Sequence, residues 1–348
     1  MAIVTIIGSG MMGSALAFPA RENGNIVRLV GSPLDDDIID FCRKNKRHPK
    51  FNREFPDGIE YYQISELNSA LCGSDLVIGG VSSFGVEWFG KNILPVIPRN
   101  VPVLTVTKGL MDTRDGKLLT YPELWQKMDE RNRNVSLNAV GGPCTSYELV
   151  QHDHTEVAFC GKDMEVLEMI RNIMETDYYH ISLSTDVTGI ESAVALKNAY
   201  ALAVALTIGV NQKERGIDSE LHFNSQAAVF GQSMKEMKML LDIQGAGGLD
   251  NLAVGVGDLY VTVYGGRTRQ IGILLGRGLN IDEATEKLEG VTLESLVVAE
   301  RVGRAVKCLS ERGLADLGNF PLLMHVYSIL VERSAVCIPW DSFRFKNV

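Results

Sequence analysis

The sequence lacks most of the features that would take it outside the ordinary globular proteins. Its six cysteines (42, 72, 144, 160, 308 and 337) never stand in a Cys-x-x-Cys spacing, which fits reduced thiols and argues against a zinc site or a disulfide framework. His152 and His154 flank Asp153 among polar neighbours and read as an exposed loop, so no metal is expected. Positive charge is also short: 34 Lys and Arg against 43 Asp and Glu give a net charge of -9. Nucleic-acid binding needs clustered cations, and the one such run, Arg43 to Lys50, reads as a solvated loop. The longest apolar stretch, Ala199 to Val210, falls short of the ~20 residues that cross a bilayer. No basic leader precedes the first apolar run, so a cytoplasmic protein without a membrane span is expected. Low-complexity tracts and internal repeats are missing as well.

What is present is enough apolar material, 45% of 348 residues, for two cores. The first half alternates. Ile3 to Ile7 reads as a buried strand, Met11 to Asn23 as a helix and Ile26 to Val30 as a second strand. Short β-type runs follow at Asp75 to Ile78, Val103 to Val106, Val135 to Val140, Val157 to Cys160 and Tyr178 to Leu183. That alternation predicts an α/β Rossmann-type domain with a mostly parallel, doubly wound sheet. Beyond it the pattern turns helical, over Ile190 to Ile208, Asn224 to Leu241, Ile281 to Leu288 and Glu294 to Arg312. The expectation is a dinucleotide-binding domain over residues 1–183 and an all-α substrate domain over 184–348. The long apolar helices suggest a homodimer built through that second domain.

Between the first strand and helix lies Gly8-Ser-Gly10-Met11-Met12-Gly13. Gly-x-Gly-x-x-Gly in this setting is a pyrophosphate cradle: Gly8 for the tight turn, Gly10 for close approach of the anion, Gly13 for helix-on-strand packing. The helix N-terminus adds free N–H groups and a favourable dipole. The carboxylate that would grip the adenosine ribose of NAD is due at the end of the second strand, where this chain has Gly31-Ser32 followed by Asp35, Asp36 and Asp37. The choice between NAD and NADP stays open.

Four polar features sit in apolar or glycine-rich settings. Lys108 ends a strand in VLTVTKG, a place where open α/β sheets bind ligands. GGPCTSYE, from Gly141 to Glu148, forms a turn at the end of another strand. Lys197 and Asn198 interrupt the apolar helix IESAVALKNAYALAVAL, and burial there would suit the lysine to proton transfer near neutral pH. In GVGDLYVTVYGGRTR, Asp258 and Thr262 would share a helical face, with Arg267 in the glycine turn beyond. By propensity alone, LYVTVY suits a strand.

Taken in order along nearly the whole chain, GSGMMGSALA, TKGL, GGPCTSYE, DVTGIESAVALKNAYA and GVGDLYVTVYGGRTR resemble NAD(P)-dependent glycerol-3-phosphate dehydrogenase. The resemblance implies hydride transfer between NAD or NADP and C2 of a small phosphorylated substrate, with Lys197 as general acid/base, Asp258 orienting it, and Lys108 reaching substrate and cofactor. Arg267 would bind the substrate phosphate, supported by Thr262 and Asn198, with Gly142, Cys144, Gly266 and Thr268 lining the substrate site. Met11, Met12, Ser32, Ser146 and Glu294 would join Gly8, Gly10, Gly13, Lys108 and Arg267 against the cofactor. Three positions depart from the family pattern: Thr268 where Asn follows the clamp arginine, Ser146 where a small alanine is usual, and Ser295 where Glu294 should be followed by Gly. They leave another phosphorylated polyol or a hydroxy acid open as substrate. A non-catalytic dinucleotide sensor is a third reading, disfavoured by the presence of both Lys197 and Asp258.

Overall fold

The computed structural model describes residues 1–344. Strands β1 (Ile3–Ile7), β2 (Ile26–Val30), β3 (Ile59–Tyr62), β4 (Leu76–Gly79), β5 (Val103–Thr105), β8 (Leu137–Gly141), β9 (Thr155–Cys160) and β10 (Tyr179–Ser184) form one sheet; β6 (Leu110–Asp112) and β7 (Leu118–Thr120) pair separately. The sheet order is β3-β2-β1-β4-β5-β8-β9-β10. All neighbours run parallel except β8 and β9, where Ala139 faces Cys160. Strand β4 is apolar throughout, and β1 is apolar except for buried Thr5, whose hydroxyl donates to the Ala70 carbonyl at 2.9 Å, as suits strands covered on both faces. From β1 the chain winds outward through β2 to β3, then returns to the other side of β1 and winds outward again from β4. The reversal leaves a crevice beyond the C-terminal ends of β1 and β4, the switch point where such sheets take ligands.

Two compact units result: Met1–Lys108 with Thr120–Glu191, and Gly109–Leu119 with Ser192–Val348. This division differs from the sequence-based boundary at 183 in two ways. The second unit claims the β6–β7 hairpin, because Arg304 bonds Asp112 at 2.6 Å and Arg301 donates to the Leu110 carbonyl. The break itself falls inside a continuous helix. Strand β3 and the hairpin were not read from sequence. Ile59-Glu-Tyr-Tyr carries one aliphatic residue on an edge strand, and the hairpin strands are three residues each.

The helices used below are α1 (Met11–Glu22), α2 (Asp36–Asn45), α3 (Val187–Arg215), α4 (Phe223–Ile243), α5 (Leu249–Tyr264), α6 (Gly266–Gly276), α7 (Glu294–Glu311) and α8 (Pro321–Val331). LYVTVY is helical, settling the open choice between strand and helix. The basic run from Arg43 corrects another reading: it covers the last turn of α2 and then a turn in which His48 is buried against Phe51. Helix α3, at 29 residues, is long and apolar enough to cross a membrane, contrary to the estimate from its apolar run. Yet 89% of its most apolar window is buried inside the protein, as in a core helix. The core of the second unit is built on it, with Tyr200, Leu202 and Leu206 fully enclosed.

Candidate active site

In the first unit, the glycines after β1 divide by what surrounds them. Gly8 has φ +107°, and a β-carbon on it would come 2.7 Å from the Gly80 backbone beyond β4. On Gly13 it would come 2.1 Å from the Gly8 carbonyl oxygen. Both positions are closed by the fold. Among the described residues, a β-carbon on Gly10 would meet nothing within 4 Å beyond its chain neighbours, and no side chain caps the start of α1. An open approach to a helix N-terminus with free N–H groups fits a pyrophosphate. Met11 and Met12, half-buried, begin α1, and Tyr147 reaches the Met11 sulfur at 3.7 Å.

Sequence reasoning missed Gly80 in this loop and, though it named Asp35, missed what that carboxylate holds. Gly80 follows β4 as the second of a Gly-Gly pair, a visible signal. Asp35 carries no such signal: its Oδ2 accepts from the backbone N–H of Ser9 at 3.1 Å and of Ser32 at 2.8 Å. One carboxylate thus ties the glycine turn to the loop after β2, where Ser32 sits half-buried.

Further along the sheet, Lys108 follows β5 and donates from Nζ to the Gly142 carbonyl at 2.9 Å. Gly142 follows β8 with φ +123°. Cys144 is half-buried and Ser146, buried, begins the short helix Ser146–Val150. The Lys108 and Gly141–Glu148 motifs, distant in sequence, therefore meet at the C-terminal ends of adjacent strands.

In the second unit, Lys197 of α3 forms an ion pair with Asp258 of α5. Asp258 is 1% exposed and the Lys197 side chain 13%. Desolvation of both charges is costly, and each needs the other. Gly255, one turn before Asp258, lets α5 press onto α3: a β-carbon there would stand 2.8 Å from that of Ala193, one turn before Lys197. Thr262 donates to the Asp258 carbonyl at 2.7 Å, and Asn198 is buried beside Lys197 in sequence. Helix α5 stops at Gly265, Gly266 takes φ +81°, and α6 begins with Arg267 exposed and Thr268 half-buried in its first turn. A guanidinium beside an uncapped helix N-terminus suits a phosphate dianion. Helix α6 is held by Gly272 and Gly276, which pack on Ala205 and the Leu206 carbonyl of α3. Glu294, half-buried, opens α7, with Ser295 buried after it.

The chain matches two family models over almost its full length. Residues 3–167 match the NAD-dependent glycerol-3-phosphate dehydrogenase N-terminus, and residues 186–337 match the corresponding C-terminus. It is 35% identical over 340 residues to the NADP(+)-dependent glycerol-3-phosphate dehydrogenase of Archaeoglobus fulgidus, covering 95% of each chain. It is 28% identical to glycerol-3-phosphate dehydrogenase [NAD(P)+] of Myxococcus xanthus, covering 94% of this chain and 92% of that one. Among solved structures, the Plasmodium falciparum glycerol-3-phosphate dehydrogenase shares the fold with a TM-score of 0.83 at 19% identity, over 100% of this chain and 96% of that one. The Coxiella burnetii enzyme does so with a TM-score of 0.79 at 22% identity, over 98% and 97%. With the glycine cradle and the buried Lys197–Asp258 pair in place, these matches identify the chain as a member of the NAD-dependent glycerol-3-phosphate dehydrogenase family.

Proposed function

We propose that the chain reversibly oxidises sn-glycerol 3-phosphate to dihydroxyacetone phosphate with NAD or NADP. The observation that carries the reading is the buried Lys197–Asp258 pair, an ionisable donor held by a carboxylate within an apolar helix core. A nicotinamide cofactor held at the glycine turn would supply the hydride chemistry at C2. Lys197 gives a proton to the C2 oxygen during reduction and removes it during oxidation, and Asp258 fixes the direction of its Nζ. Lys108 stabilises the negative charge that develops on that oxygen. Arg267 and the first turn of α6 grip the phosphate, with Thr268 in place of the usual Asn. The open face at Gly10 and the uncapped turn of α1 hold the pyrophosphate. Net acidity and scattered cysteines suit the reducing cytoplasm.

Purified protein mixed with dihydroxyacetone phosphate and NADH or NADPH should consume the reduced nicotinamide, read by its near-ultraviolet absorbance. No consumption with either cofactor overturns the assignment. Oxidation of a different phosphorylated polyol in a parallel screen would instead favour the reading suggested by Thr268, Ser146 and Ser295.

A further inference from the structure

Glu191, in the first turns of α3, is 1% exposed, and neither of its carboxyl oxygens has a hydrogen-bond partner among the described residues. A buried polar group without partners requires a reason. The charged and titratable groups that act on it come from two other elements: Lys108 beyond the end of β5 and Cys160 at the end of β9. Asp186, just before α3, acts in turn on Cys160. Lys108 is the one cation in this set, and it spends a hydrogen bond on the Gly142 carbonyl at 2.9 Å rather than on Glu191.

We infer that Glu191 is a positioning residue for the reduction: as the neutral acid it leaves the Lys108 ammonium on the Gly142 carbonyl, and as the carboxylate it draws that ammonium away. The inference rests on the role given to Lys108 above. Burial pushes the Glu191 carboxyl up to about 8, with Lys108 opposing, so the acid form prevails at neutral pH. Raising the pH removes its proton to solvent and leaves a buried anion within electrostatic reach of the cation meant for the C2 oxygen. The pair that then forms competes with the substrate for one ammonium, which lowers charge stabilisation in the transition state without altering the phosphate grip.

The experiment compares wild type with Glu191→Gln, an isosteric neutral side chain, in dihydroxyacetone phosphate reduction from about pH 6 to about pH 10. At neutral pH the variant should keep kcat within about threefold of wild type, and the basic limb of its kcat profile should move up by about one unit or more. An unmoved basic limb, or a loss equal at every pH, overturns the inference. Failure of wild type itself to turn over the substrate overturns instead the assignment on which it rests. If Glu191→Gln does not fold, infrared spectra of wild type and Lys108→Met decide. A carboxylic-acid band present at neutral pH should disappear on alkalinisation, and do so at higher pH without the ammonium. Identical titrations in the two proteins refute the coupling.

Discussion

Gly255 and Ala193 are in such close contact that a β-carbon on Gly255 would lie 2.8 Å from that of Ala193. The contact sets the separation of α5 and α3, and one turn further on it is the separation of Asp258 and Lys197. Gly255→Val should therefore act on chemistry and stability together. Overpacking of this kind costs roughly 1–3 kcal/mol, read as a lowered Tm, and kcat should fall while cofactor binding stays near wild type. A variant with lowered Tm but unchanged kcat would show that the ion pair does not depend on this contact.

Lys197→Ala should lower kcat by roughly 100- to 10,000-fold, the usual worth of a general acid/base. It also strands the buried Asp258 charge, at a cost of roughly 3–5 kcal/mol. The double change Lys197→Met with Asp258→Asn should restore much of the stability and none of the activity. Denaturant unfolding and steady-state kinetics on the same preparations separate the two effects. Recovery of activity in the double variant would remove Lys197 from the proton transfer.

The glycine turn gives a contrast between two residues three apart. Gly13→Ala forces a β-carbon to 2.1 Å from the Gly8 carbonyl oxygen and should destabilise the first unit by roughly 1–3 kcal/mol. At Gly10 a β-carbon would meet nothing within 4 Å beyond its chain neighbours among the described residues, so the stability of Gly10→Val should stay within about 0.5 kcal/mol of wild type. Its affinity for NADH and NADPH should drop by about tenfold or more, about 1.4 kcal/mol. Fluorescence titration of the reduced cofactors checks this, and unchanged affinity would place the pyrophosphate elsewhere.

Glu236 of α4 gives a pH prediction. Its carboxylate accepts from the N–H groups of Leu322 and Leu323 at 2.9 Å each and so caps α8 from a neighbouring helix. Gln232 and Tyr200 also donate to it. Burial raises its carboxyl to about 7 from 4.5, and the donated bonds only partly offset the rise. A raised folded-state value means the native protein binds the extra proton between these two points. This contribution to stability is complete below about pH 4.5 and is lost as the pH rises through about 7. Glu236→Gln should flatten that part of the stability curve, measured by urea unfolding at several pH values. An identical pH slope in the variant would refute it.

Strand β1, the turn at Gly8 to Gly13 and helix α1 were legible because every signal they need is local: an apolar run, three spaced glycines and a helical period. The same holds for Lys197, an ionisable residue that stands out within an apolar helix. Strand β3 and the β6–β7 hairpin were not legible, since their short segments are held by partners far along the chain, such as Arg304 on Asp112. LYVTVY shows the limit of propensity. Its β-branched residues suit a strand, but packing of Gly255 on Ala193 and burial of Asp258 and Leu259 make it helical. Sequence alone determined the family and the chemical groups available. Tertiary structure decided which groups meet: Lys197 with Asp258, Lys108 with Gly142, and Asp35 with Ser9 and Ser32. Those pairings depend on the close approach of helices and strand ends, which no local pattern encodes.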